Sequence, residues 1–103
     1  MLEHKPYLDT ELNLMKLSDL LHTTPHKLSY LVNAGFGQNF FHFVNHYRVE
    51  EAKQLLLDRN MDHLSMLGIA FEAGFNSKTA FNTAFRKSTG ITPSEFKEKR
   101  PAL

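Results

Sequence analysis

Apolar residues recur along this chain at spacings of three and four. Leu14, Leu17 and Leu21 form one such group, and Leu28, Leu31 and Val32 the next. That is the repeat of a helix burying one face. The longest pattern takes in Phe40, Phe43, Val44, Tyr47, Ala52, Leu55 and Leu56, and predicts one apolar stripe over about five turns. Shorter stripes follow at Met66, Ile69, Ala70 and Ala73, and at Phe81, Ala84 and Phe85. No period-two alternation is sustained and no Asn-Gly or Asp-Gly marks a hairpin, so the predicted fold class is all-α.

Punctuation divides the stripes. Thr24-Pro25 starts a helix, with a hydroxyl to cap free N–H groups and a proline preset for the first helical position. Thr92-Pro93-Ser94-Glu95 reads as a capping box. Gly35-Phe36-Gly37, Gly74-Phe75 and Gly90 supply stops or tight turns, and Asp58 to Asp62 is a polar connector. These signals predict seven helices, at 8–12, 14–22, 24–34, 38–58, 62–73, 77–88 and 93–99.

Two helix pairs repeat. Leu17, Ser18 and Leu21 correspond at an offset of 52 to Ile69, Ala70 and Ala73, and Leu28 and Val32 at an offset of 53 to Phe81 and Phe85. Each pair is a short helix, a tight turn and a second helix with a polar outer face, the arrangement in which the second helix enters the DNA major groove. The expected organisation is one unit over 1–103, made of a first lobe at 7–37, a linker helix at 38–58 and a second lobe at 59–99. A linker of that length spans about 31 Å, against about 34 Å for one turn of B-DNA.

Composition narrows the class further. At 103 residues, 42% apolar and 22% charged, the chain has the make-up of one globular domain. No apolar run approaches the ~18 residues of a membrane span, the start does not read as a secretory signal, and a cytoplasmic location is expected. With no cysteine there is no disulfide or thiolate chemistry. Neither Gly-x-Ser-x-Gly nor Gly-x-x-x-x-Gly-Lys occurs, and no enzyme activity is expected. The net charge of +1 hides an uneven distribution. Residues 76–100 hold Lys78, Arg86, Lys87, Lys97, Lys99 and Arg100 against only Glu95 and Glu98. A local surplus of that sign suits a polyanion.

Ile69-Ala70, Gly74-Phe75, Phe81, Phe85 and the run from Gly90 to Lys97 resemble the C-terminal signature of AraC/XylS-type bacterial transcription regulators. Leu17, Leu28, Gly37, Phe40 and Tyr47-Arg48-Val49-Glu50-Glu51-Ala52 are similar to the first half of the same pattern, so the likeness covers residues 7–99. It implies two helix-turn-helix lobes joined by a long helix, binding double-stranded DNA across two major-groove segments. By position it assigns Thr24, His26, Lys27, Ser29, Tyr30 and Asn33 to DNA in the first lobe. In the second it assigns Ser77, Lys78, Thr79, Asn82, Thr83, Arg86 and Lys87. The chemistry is apt, since Lys78 can donate to guanine, Asn82 can pair with adenine, Thr79 can touch a thymine methyl, and capped helix starts offer N–H groups to phosphates.

The likeness also implies a sensing or dimerisation domain elsewhere in a longer chain, and RNA polymerase as a further partner of an activator. No cofactor and no membrane contact are expected. Family members often carry arginine where this chain has Tyr30, and basic residues at Asn33 and Ala34, so the first lobe is expected to bind more weakly. Those departures, with the modest net charge, leave an alternative: a protein-interaction module that keeps the fold without tight DNA binding. Phe40, Phe43, Phe75, Phe81 and Phe85 are expected in the core, whereas Phe36 and Phe41 fill a seam between lobes or form a partner surface. His42, His46 and Glu50 share a helix face, but without further ligands at metal-site spacing no metal is expected, and the row reads as solvated or touching phosphate.

Overall fold

Side-chain caps set where the helices begin. The computed structural model describes residues 5–36 and 40–100, and every regular element among them is helical. Helix α1 (Leu14–Leu20) starts at Asn13, whose side chain accepts from the Lys16 N–H, and α2 (Pro25–Phe36) at Thr24, which accepts from Lys27. The linker is α3 (Phe40–Leu57). Helix α4 (Met66–Glu72) is capped by Ser65, α5 (Lys78–Thr89) by Ser77, and α6 (Pro93–Glu98) by the Thr92–Glu95 capping box.

The count of seven helices is corrected to six α-helices and two short 3-10 turns among the described residues. No helix occupies 8–12: the turn at Pro6–Leu8 ends where the Asp9 carboxylate accepts from the Glu11 N–H, a local bond that competes with helix continuation. The helix expected from residue 62 starts only at Met66, because Asp58 caps a 3-10 turn at Arg59–Met61 and Ser65 supplies the next start. Positions 38 and 39 of the expected linker lie outside the described residues. The 18-residue α3 is about 27 Å long.

Burial shows why α3 links two units. Phe43 and Val44 pack with Tyr7, Leu12, Leu17, Leu28 and Val32, whereas Val49, Ala52 and Leu56 pack with the buried residues of α4, α5 and the turn between them. At 100° per residue those two sets point about 160° apart. The single stripe expected along this helix is therefore two half-stripes on opposite faces, one for each core. Leu21 and Leu31, assigned to apolar stripes by spacing, are 48% and 59% exposed and lie off the buried faces. The second core is built on aromatic contacts, with Phe81 between Phe75 and Phe85 at centroid distances of 5.3 and 5.8 Å. The molecule is elongated, at 46 × 23 × 23 Å.

The repeat seen in sequence is a repeat of backbone geometry. In the first lobe Thr23 N–H donates to Ser18 C=O, and in the second Phe75 N–H donates to Ala70 C=O, each at 2.9 Å and 52 residues apart. The residue that turns the chain left-handed is His22 (φ 56°) in one and Gly74 (φ 98°) in the other. A side chain at such a φ is strained by about 1 kcal/mol beyond what glycine's extra unfolded-state freedom costs. His22→Gly is expected to raise stability by about 0.5–1 kcal/mol, seen as a higher urea midpoint at unchanged slope.

Gly74 is held by more than its φ. A Cβ there would collide with the Tyr7 carbonyl oxygen and lie 2.9 Å from Nε of Arg48. Arg48 completes the clasp: its Nε donates to Tyr7 C=O at 2.8 Å, its Nη2 to Asp9 C=O at 2.9 Å, and its guanidinium lies over the Phe75 ring. One side chain of α3 thus ties the N-terminal segment to the turn of the second lobe. Burial pulls the Arg48 guanidinium below its ordinary range, with Asp9 opposing. At the far end, Arg100 donates to Leu56 C=O and forks onto both Asp62 oxygens at 2.8 Å, holding that carboxyl below the usual range.

Candidate nucleic-acid interface

On α5 the buried side chains are Phe81 and Phe85. Thr79, Asn82, Thr83 and Arg86, spaced three, four and seven apart, share the face turned away from them; Asn82 is half-buried and the other three are exposed. Lys78 is exposed at the first helical position, and Lys87 is exposed one residue past Arg86. The Ser77 hydroxyl caps this helix, accepting from Ala80 N–H at 3.0 Å. The start of α5 is thereby aimed at solvent with its remaining N–H groups and a lysine beside them, a favourable place for an anion.

Helix α2 repeats the plan with fewer charges. Leu28 and Val32 are buried, and His26, Lys27, Tyr30 and Asn33 are exposed, while Ser29 is half-buried. Thr24 is an exposed cap whose hydroxyl accepts from Lys27 N–H at 3.2 Å. Tyr30 is 69% exposed, so its ring stands free to stack or donate. Lys27 is the one fixed cation among the outward residues of α2, against Lys78, Arg86 and Lys87 on α5.

Two residues gain roles that spacing alone did not give them. Arg48, part of the family-like run, is a clasp and not a surface charge. His42 of α3 lies against Lys87 of α5, with 3.2 Å between its Nε2 and the Lys87 Nζ; only the packing of α3 on α5 brings those residues together. Phe41 is 69% exposed, edge-on to the half-buried Phe40, whereas the side chain of Phe36 lies outside the described residues. Among the described residues, no three His, Cys, Asp or Glu side chains gather as a metal site. None of the described helices is long and apolar enough to cross a membrane.

Two capped helices, each following a short helix and a left-handed turn, each buried on one face and polar on the other, define a tandem helix-turn-helix domain. Residues 17–99 match the family described as helix-turn-helix domain, and the chain belongs to its AraC type. The transcriptional regulatory protein YesN of Bacillus subtilis is 37% identical over 84 residues, which are 80% of this chain and 22% of YesN. The HTH-type transcriptional regulator SACOL0084 of Staphylococcus aureus is 32% identical over 93 residues, 90% of this chain and 12% of that protein. The C-terminal domain of AraT, a response regulator from Geobacillus stearothermophilus, has the same fold with a TM-score of 0.81 and 28% identity, over 96% of this chain and 79% of that one. The chain thus spans under a quarter of the curated relatives named here.

Proposed function

We propose that this chain is the DNA-binding part of a transcription regulator, reading duplex DNA with α5 and α2 in successive major-groove segments on one face. The observation that carries this is the duplicated turn, which launches two capped helices with outward polar faces from the two ends of one linker. In each lobe, phosphates meet the capped helix start, and base edges meet the outward side chains. Lys78 reads guanine, Asn82 reads adenine, and Thr79 and Thr83 lie against thymine methyls; Arg86 and Lys87 hold the backbone. On α2, His26, Tyr30 and Asn33 face the second segment with Lys27 and Ser29 beside them. The family is not one of enzymes. The greater length of the relatives supports a sensing or dimerising domain elsewhere, with RNA polymerase as the partner if the regulator activates.

Selection from random duplexes, followed by fluorescence anisotropy at two salt concentrations, tests the reading. Two short boxes centred about 10 base pairs apart are expected, with affinity falling steeply as salt rises. One box alone makes the α2 lobe a scaffold. Absence of binding at low salt by folded protein overturns the proposal in favour of a protein-interaction module.

A further inference from the structure

Between α3 and α5 runs a cleft of about 240 Å³. His42, Asn45 and His46 line it from α3, and Ala84, Lys87 and Ser88 from α5, above the buried Val49. Among the described residues, the titratable groups in this lining are two imidazoles and one ammonium, with no carboxylate. Of the described elements packed on α3, only α5 supplies the opposite wall. His46 also borders a second groove on the far side, where Glu50, Glu51 and Lys5 stand.

The contact between Lys87 and His42 has a chemical direction. An ammonium has only protons to give, so in this contact Nε2 of His42 is the acceptor. The Lys87 ammonium faces an imidazole here, while the amide of Asn45, the ring of His46 and the hydroxyl of Ser88 add further donors around the same space. Such a set matches an oxyanion with several acceptor oxygens.

We propose that this cleft binds a phosphoryl group. An entering phosphate takes the Lys87 ammonium from His42, with Asn45, His46 and Ser88 completing the cradle. Two sources present this chemistry: a backbone phosphate of bound DNA, or free phosphate. Lys87 stands about 90° around α5 from the outward face of Thr79, Asn82, Thr83 and Arg86, so the DNA source requires a phosphate flanking the read segment on the Lys87 side. The DNA source rests on the function proposed above; the phosphoryl site itself does not.

Two measurements on the whole chain separate these. In the first, inorganic phosphate is titrated at constant ionic strength while histidine ring resonances are followed by NMR, with His22 and His63 as remote references. Selective, saturable shifts at His42 and His46 are expected, and Asn45→Asp, which sets a carboxylate in the cleft at almost unchanged shape, abolishes them. In the second, the same variant is expected to bind a selected duplex about tenfold more weakly at low salt, with the difference shrinking as salt rises and the thermal midpoint unchanged. Phosphate shifts without an effect on DNA assign the site to free phosphate. If the unaltered chain binds no duplex, the DNA reading falls, and the phosphate shifts alone decide the cleft. Normal DNA binding by Asn45→Asp, together with no selective histidine shift, overturns the phosphoryl site and leaves the DNA reading standing.

Discussion

Removing Lys78 and Asn82 together is expected to weaken binding to the selected duplex about a hundredfold, or about 3 kcal/mol, since each base-pair contact of this kind is worth about 1–3 kcal/mol. The loss should fall on sequence discrimination as well as affinity, with the box read by α5 becoming degenerate at two positions. Folding should be spared, because Lys78 is exposed and Asn82 only half-buried, and an unchanged thermal midpoint checks this. The paired alanine changes at His26 and Tyr30 are expected to cost less, because α2 presents one fixed cation where α5 presents three. A larger loss from the α2 pair reverses the order of the lobes.

Gly74→Ala is expected to be the most damaging single change to stability, at about 3–5 kcal/mol from left-handed strain together with the collision at the Tyr7 carbonyl. The damage should spread. Moving Tyr7 withdraws the acceptor of Arg48 Nε and disturbs the stacking of Tyr7 on Tyr47, so the first core loosens along with the second turn. Against a total of about 5–15 kcal/mol for a domain of this size, such a loss is about a third or more of a typical stability. Chemical denaturation followed by circular dichroism measures it, and a loss below about 1 kcal/mol would show that the N-terminal segment does not clasp the turn in solution. The equivalent site in the first lobe already carries a side chain, the exposed His22, so the left-handed backbone by itself is tolerated.

The sequence carried the parts of this fold that depend on near neighbours. Caps at Thr24, Ser77 and Thr92, the all-helical character and the faces of α2 and α5 follow from local hydrogen bonding and from spacing. The duplication was legible at offsets of 52 and 53 because Leu17, Ser18, Leu28 and Val32 are buried as Ile69, Ala70, Phe81 and Phe85 are, although Leu21 is exposed where its counterpart Ala73 is buried. What spacing missed was set by distant neighbours. A single apolar stripe was the simplest pattern for α3, but the residues around Phe43 and Val44 and those around Val49, Ala52 and Leu56 answer to different cores on opposite sides. Nothing local distinguishes one wide stripe from two half-stripes.

The candidate site divides the same way. The outward residues of α2 and α5 were legible in the sequence, since a helix with two buried side chains at i and i+4 fixes what lies opposite. The cleft was not, because His42 and Lys87 are 45 residues apart and only the packing of α3 on α5 joins them. By itself the sequence determined the helix starts at Thr24, Ser77 and Thr92, the buried pairs of α2 and α5 and that the unit occurs twice, all through interactions within a turn or two of chain. The tertiary structure alone decided how α3 serves two cores, why Gly74 admits no side chain and which basic groups share a cleft, because each rests on segments that meet in space only once the chain is packed.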